Sequence, residues 1–173
     1  MRVILWMAMS LNGIIARENN EEDFISHDSW LEWIKWVRKN RCVIWGRKTH
    51  EVVKGWDKQY LEDLKGVKVV VVSVDKSYKV GEGFELANSP KEALERLEKD
   101  GFETAVITGG ATLNSSFAKA GLIDEVVLNV EPVIIGKGIP LFSPEIFDLK
   151  LQLVGTEKLN GGIVQFHYKV ERL

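Results

Sequence analysis

The sequence predicts an α/β domain with a mixed, mostly parallel central sheet, helices on both faces, and an antiparallel hairpin at the C-terminal edge. Three observations predict it. Short β-rich runs alternate with helical patterns, the order expected of crossover units. Val67–Ser73 reads Val-Lys-Val-Val-Val-Val-Ser, and a near-continuous β-branched run suits a strand covered on both faces. The last two strand candidates are joined by Leu159-Asn160-Gly161-Gly162, residues that tolerate positive φ and favour a hairpin.

The elements follow in order. Arg2–Met9 is an apolar first strand, ended by Asn12-Gly13. Ser26 can cap a helix from His27 to Asn40. Trp30, Trp33, Ile34 and Val37 fall on one side of that helix, with Asp28, Glu32, Lys35 and Lys39 on the other. Cys42–Trp45 and Val67–Ser73 are buried strands. Ser89-Pro90 pairs a good cap with a good first-turn residue, and the helix it opens runs to Lys99, where Asp100-Gly101 stops it. Thr104–Thr108 is a strand that enters Gly109-Gly110, and a helix follows to Gly121. Asp124–Pro132, Leu151–Lys158 and Ile163–Val170 complete the sheet. No repeat or linker divides the chain, so the expected organisation is one domain over 1–173.

Composition excludes several classes. Hydrophobic residues at 45% and charged residues at 28% support a core rather than disorder. A net charge of -2 offers no broad cationic field for nucleic acid. Cys42 is the only cysteine, so neither an internal disulfide nor a cysteine zinc site can form, and its apolar strand reads as housing an inert thiol. His27, His50 and His167 show no metal-ligand spacing, and no metal is expected. The apolar start, Val3 to Met9, is too short for a membrane span and lacks the pattern of a cleaved leader. The expectation is a cytoplasmic protein, monomer or homodimer, acting on a small molecule.

Two strand-to-helix turns carry the chemistry. In Thr104-Ala-Val-Ile-Thr-Gly-Gly-Ala-Thr-Leu113 a buried strand meets a glycine pair and a helix start. Residues without Cβ let a ligand approach the backbone, and free amides at a helix start favour phosphate. In Val43-Ile-Trp-Gly-Arg-Lys-Thr-His50 the glycine turn adds two cations and a hydroxyl. Two such turns at strand ends point to a dinucleotide, because open α/β sheets bind ligands at the strands' carboxyl ends.

These motifs carry a family resemblance. Gly46-Arg47-Lys48-Thr49 resembles the Gly-Arg-x-Thr motif of dihydrofolate reductases, and Ile107-Thr108-Gly109-Gly110 resembles their Gly-Gly turn. Ala8-Met9-Ser10-Leu11-Asn12-Gly13-Ile14-Ile15-Ala16 resembles the start of riboflavin-pathway reductases, which share the fold. Leu122-Ile-Asp-Glu-Val126, Pro132 and Gly136-Lys137-Gly138-Ile139-Pro140-Leu141-Phe142 are similar to that second group. The resemblance spans nearly the whole chain and implies a three-layer dihydrofolate reductase-like fold with NADPH as cofactor.

Position by position, the resemblance implies that Ala8 and Ile15 hold the nicotinamide carboxamide. It implies that Gly46, Arg47, Lys48 and Thr49 contact the 2′-phosphate side and pyrophosphate, with Ser73 also at the 2′-phosphate. Gly109, Gly110, Ala111, Thr112 and Leu113 match the pyrophosphate turn, whose Gly-Gly peptide is cis in the family. Trp6, Ile34 and Asn129 are substrate-side candidates, and Trp45 could also stack on a flat heterocycle. Dihydrofolate reductases carry an acid on the first helix. Counting back from Gly46 without gaps gives Trp30 at that position, with Asp28 and Glu32 two residues to either side. Asp28 is the proton-donor candidate; its alternative is a first-turn charge that only favours the helix.

Both branches of the superfamily leave a gap here. The arginine that grips the folate glutamate is replaced near Val67, with Lys65 or Lys68 as stand-ins. The Asp-Asp-Pro-x-Leu segment of riboflavin-type enzymes is missing after Thr49. The leading expectation is reduction of dihydrofolate to tetrahydrofolate. The alternative is reduction of a ribosylaminopyrimidine in riboflavin synthesis, and a third is a nucleotide-binding protein without catalysis.

Overall fold

The computed structural model describes residues 1–172; Leu173, the last position of the expected domain, lies outside them. The chain runs β1 (Arg2–Ser10), β2 (Ile14–Ala16), α1 (His27–Asn40), β3 (Cys42–Gly46), α2 (Arg47–Val53), α3 (Lys58–Asp63) and β4 (Lys68–Val72). It continues through β5 (Phe84–Ala87), α4 (Pro90–Lys99), β6 (Thr104–Ile107), α5 (Ala111–Lys119) and β7 (Glu125–Glu131), and closes with β8 (Ile139–Pro140), β9 (Leu151–Lys158) and β10 (Val164–Val170).

Eight strands form one sheet in the order β5-β4-β3-β6-β1-β7-β10-β9. Every pairing from β5 to β7 is parallel, and β10 is antiparallel to both its neighbours. β2 and β8 make a separate two-stranded pair. The parallel strands are buried on both faces, which is why they read as unbroken apolar runs.

Two cores sandwich the sheet. On one side α4 and α5 bring Leu97, Leu113 and Phe117 against Leu5, Ile44, Val70 and Ile107. On the other, α1 and α2 bring Trp33, Ile34, Val37 and Val53 against Ile4, Trp6, Val43 and Val71. Burying each such side chain contributes roughly 1.5–3 kcal/mol. The expected three layers follow from these two contact sets.

The helix caps divide into two kinds. Ser26 Oγ accepts from the Ser29 amide at 3.2 Å, and Ser89 Oγ accepts from the Glu92 amide at 3.1 Å. These side chains satisfy donors that a helix start leaves free. In contrast, α2 begins at Gly46 and α5 at Gly110, and neither has a side-chain cap.

Several small elements depart from the sequence reading. β5 is a four-residue strand that pairs parallel to β4 through Phe84 to Ala87. α3, β2 and β8 are likewise additions, each of two to six residues. Such elements are too short to show a period and are fixed by their tertiary partners. In the hairpin, Asn160–Gly162 form one turn of 3₁₀ helix, with φ of 68° at Gly161 and 81° at Gly162.

Candidate active site

The carboxyl ends of β3 and β6 lie side by side. The Gly46 amide donates to the Gly109 carbonyl at 2.9 Å, and Thr108 N donates to Ile44 O at 3.2 Å. The Gly109–Gly110 peptide is cis, and Gly109 has φ of +83°. An ideal Cβ on Gly46 would sit 3.5 Å from Leu113 Cβ and 3.6 Å from Gly110 N, so it would occupy the space between the two turns. The missing Cβ leaves a cradle, and the two uncapped helix starts border it. Anions suit such a place, since the free amides and the helix dipoles act together.

A cleft of about 430 Å³ opens over this cradle. Ten of the sequence-derived positions line it: Ile15, Gly46, Arg47, Lys48, Thr49, Ser73, Gly110, Ala111, Thr112 and Leu113. Arg47 stands 5.8 Å over the Tyr78 ring and 3.8 Å from Glu51, with Asp75 also on the cleft wall. The Asp75 carboxyl is held below its ordinary value, first by the Ser77 hydroxyl and amide and then by the Arg47 charge. Two further positions are not among its lining residues. Gly109 forms the hydrogen bond under it, and Ala8 lies half-buried on β1 opposite Asn129.

The substrate-side candidates are placed differently. Asn129 is fully buried in a polar chain, where its amide donates to Ser29 Oγ at 3.1 Å and accepts from Gln165 at 2.8 Å. Ser29 Oγ in turn donates to Glu131 Oε1 at 2.6 Å, an oxygen that also accepts from the Ser26 amide and hydroxyl. The α1 residue that meets Asn129 is therefore Ser29, and the carboxylate that closes this polar chain is Glu131 of β7. Trp6 and Ile34 are buried at 3% and 5% exposure, in the core between α1 and the sheet. Trp45 is buried there as well, so neither Trp6 nor Trp45 presents a face to the cleft; Trp56 does.

Asp28 is not in the cleft. It lines a separate surface hollow with Glu32, Lys35, Arg38 and Glu157. Its place is the first turn of α1, where a carboxylate favours the helix dipole. Helical geometry explains this: Ser29, Trp33 and Val37 repeat every fourth residue and face the sheet, which turns Asp28 aside. Glu32 pairs with Lys35.

Sequence reasoning missed Glu22. It lines the cleft from the segment between β2 and α1. The residue is exposed at the cleft mouth, yet its carboxyl is crowded by protein and desolvation pushes it up to about 7. Its sequence context, Glu21-Glu22-Asp23, gives no periodic signal that would single it out. His50 is fully buried on α2 behind the Gly46 turn, with Nδ1 2.9 Å from the Tyr78 hydroxyl; desolvation holds its ring below the ordinary value. Among the described residues no group of three or more His, Cys, Asp or Glu could hold a metal ion, and no helix is long and apolar enough to cross a membrane.

A mixed, mostly parallel sheet with two helix starts at Gly46 and Gly110 over one cleft is the α/β architecture that the sequence resemblance implies. The family model described as the RibD C-terminal domain matches residues 1–165, and the chain belongs to that family. It is 32% identical to the uncharacterized protein YwjB of Bacillus subtilis, over 96% of this chain and 97% of that one. Its fold is similar to that of a pyrimidine reductase-like protein from Corynebacterium diphtheriae, with a TM-score of 0.80 at 16% identity, covering 99% of this chain and 92% of that one. It is also similar to a diaminohydroxyphosphoribosylaminopyrimidine deaminase/5-amino-6-(5-phosphoribosylamino)uracil reductase from Thermotoga maritima. There the TM-score is 0.74 at 17% identity, over 98% of this chain and 56% of that longer one.

Proposed function

We propose that this chain is an NADPH-dependent reductase acting on a pyrimidine of the ribosylaminopyrimidine type. The observation that carries the reading is the cradle itself: Gly46 and Gly110 start two uncapped helices on one cleft, and Arg47, Lys48 and Ser73 stand beside them. A dinucleotide with an extra phosphate matches that donor set. Membership in the RibD C-terminal domain family favours a riboflavin-type substrate over dihydrofolate.

The residues of the folate side agree with that preference. Val67 stands near the place of a folate-gripping arginine; of the two lysine stand-ins, Lys68 is taken up by Glu85 and Asp100, and Lys65 is exposed. Dihydrofolate reduction, the leading expectation from the sequence, therefore gives way to the pyrimidine alternative.

When bound, NADPH supplies the hydride. The chain's own work is placement. The amides at the starts of α2 and α5 take the pyrophosphate, Arg47 and Ser73 take the 2′-phosphate, and Ile15 with Ala8 holds the carboxamide end. Val52 and Trp56 supply apolar wall that keeps water from the reacting bond.

The test is NADPH oxidation with 5-amino-6-(5-phosphoribosylamino)uracil, its dephosphorylated form, and dihydrofolate. Turnover of a pyrimidine but not of dihydrofolate is expected. Turnover of dihydrofolate alone would overturn the substrate assignment, and NADPH binding without any turnover would favour a non-catalytic nucleotide-binding protein.

A further inference from the structure

The segment between β2 and α1 is held in one shape by its own side chains. Arg17 forks onto Asp23, with Nε to Oδ1 at 2.7 Å and Nη2 to Oδ2 at 3.0 Å, and its guanidinium lies 5.7 Å from the Phe24 ring. Arg17 N donates to Glu21 O at 2.8 Å, and Ile25 N donates to Glu22 O at 2.9 Å. The Ser26 amide then anchors the segment to buried Glu131 at 3.0 Å. Residues 17 to 26 thus form a clamped loop rather than a free one.

The clamp sorts the acids of the loop. Asp23 is consumed by Arg17, and Glu18 pairs with Lys137 at 2.9 Å. Glu22 is presented to the cleft and has no hydrogen-bond or ion-pair partner for its carboxyl among the described residues. β2 and β8 contribute Ile15, Ala16 and Ile139 to the same cleft, and α2 and the turn after it contribute Val52 and Trp56. The charged groups there are Arg47 and Lys48 at the start of α2 and Asp75 after β4; β2 and β8 bring none.

We propose that Glu22 is the acid of this cleft: its protonated carboxyl delivers the proton that the substrate's C=N nitrogen takes up as the carbon receives hydride. The C=N π bond breaks, the nitrogen gains N–H, and Glu22 is left as carboxylate, to be reprotonated from water. The hydride and its electron pair come from reduced nicotinamide, which is oxidised by two electrons. This role rests on the reductase reading. It also explains why a carboxyl without a counter-charge faces the cleft. Desolvation pushes its carboxyl up to about 7, toward the range in which a general acid works best. Filling the cleft with ligand would remove the water that the carboxyl still touches and hold the proton more firmly.

The experiment has two arms. In the first, protein carrying carbon-13 at glutamate carboxyls is titrated by NMR, alone and with NADP⁺, and the Glu22 signal is assigned by its loss in Glu22→Gln. A midpoint near 7 that rises when NADP⁺ binds supports the proposal. A midpoint in the ordinary carboxylate range in both states overturns it, whatever the substrate. In the second, Glu22→Gln and Glu22→Asp are compared with wild type using the pyrimidine that wild type turns over. We expect Glu22→Gln to lose on the order of 10²-fold or more in kcat, with NADPH affinity within about twofold of wild type. We expect Glu22→Asp to recover part of the rate, and the wild-type rate to fall as pH rises through about 7. A wild-type rate and pH profile in Glu22→Gln would overturn the proposal while leaving the reductase reading intact. Absence of NADPH binding to wild type would instead remove the reading on which the proposal rests.

Discussion

The Gly46 amide and the Gly109 carbonyl are joined by a 2.9 Å hydrogen bond, and this contact, with the Thr108–Ile44 bond beside it, makes one floor out of two turns far apart in the sequence. The Cβ of any other residue at Gly46 would point between Leu113 and Gly110. Its contacts, 3.5 to 3.7 Å, are of ordinary van der Waals length, so the fold accepts it. Gly46→Ala is therefore expected to keep its Tm but to weaken NADPH by about tenfold or more, or ~1.4 kcal/mol. Thermal melting and a fluorescence titration on one sample separate the two effects.

Gly109→Ala should behave differently. Gly109 has φ of +83°, and a Cβ there would sit 3.3 Å from Met7 Cε. A left-handed residue with a side chain costs on the order of 1–3 kcal/mol. Denaturant unfolding should show that loss in Gly109→Ala and not in Gly110→Ala, whose Cβ meets only Thr49 Oγ1 at 3.5 Å.

Asp28→Asn should leave both stability and reductase rate close to wild type. Asp28 is on the outer hollow beside Arg38 and Lys35, away from the cleft, and loss of its first-turn charge costs only about 0.3–1 kcal/mol. A pH profile of kcat that changes in Asp28→Asn would show that α1 turns in the complex and brings this residue inward.

Glu22 also makes a stability prediction. Its carboxyl has a higher affinity for protons in the folded chain, about 7, than in the unfolded chain, near the ordinary 4.5. Between those values the folded state binds more protons, so stability falls as pH rises and the penalty is complete above 7. Glu22→Gln removes it. The Tm of the variant relative to wild type should therefore be higher at pH 8 than at pH 4, by an amount reduced by the water at the cleft mouth.

Much of this architecture is legible in the sequence because burial on both faces leaves a signature. Val69–Val72 and Cys42–Trp45 can only be inner strands, and Ser26 and Ser89 cap the helices that start at His27 and Pro90, as the sequence predicts. The glycine turns are legible for the same reason, since a strand that stops at Gly46 or Gly109 must turn there. The inner face of α1 is legible too, since Trp33, Ile34 and Val37 are buried as their spacing predicts. The place of Asp28 is not: a helix advances about 100° per residue, and Asp28 falls beside that face, on the outer hollow. Glu22 is equally hidden: which acid of Glu21-Glu22-Asp23 faces the cleft depends on Arg17 having taken Asp23.

Cys42 should be unreactive in the native chain. It is fully buried, its Sγ–H donates to Thr104 O at 3.1 Å, and burial pushes the thiol up to about 11. A thiol reagent at pH 8 is expected to label the protein only after denaturation, because the thiolate is the reacting form.

The most direct test of the central claim is a calorimetric titration of wild type and Arg47→Ala with NADPH and with NADH. The cleft predicts that wild type binds NADPH at least tenfold more tightly than NADH, and that Arg47→Ala loses roughly 1–3 kcal/mol for NADPH and little for NADH. Equal affinity for the two cofactors, or NADPH binding that Arg47→Ala leaves unchanged, would contradict the placement of the 2′-phosphate beside Arg47 and with it the cofactor assignment.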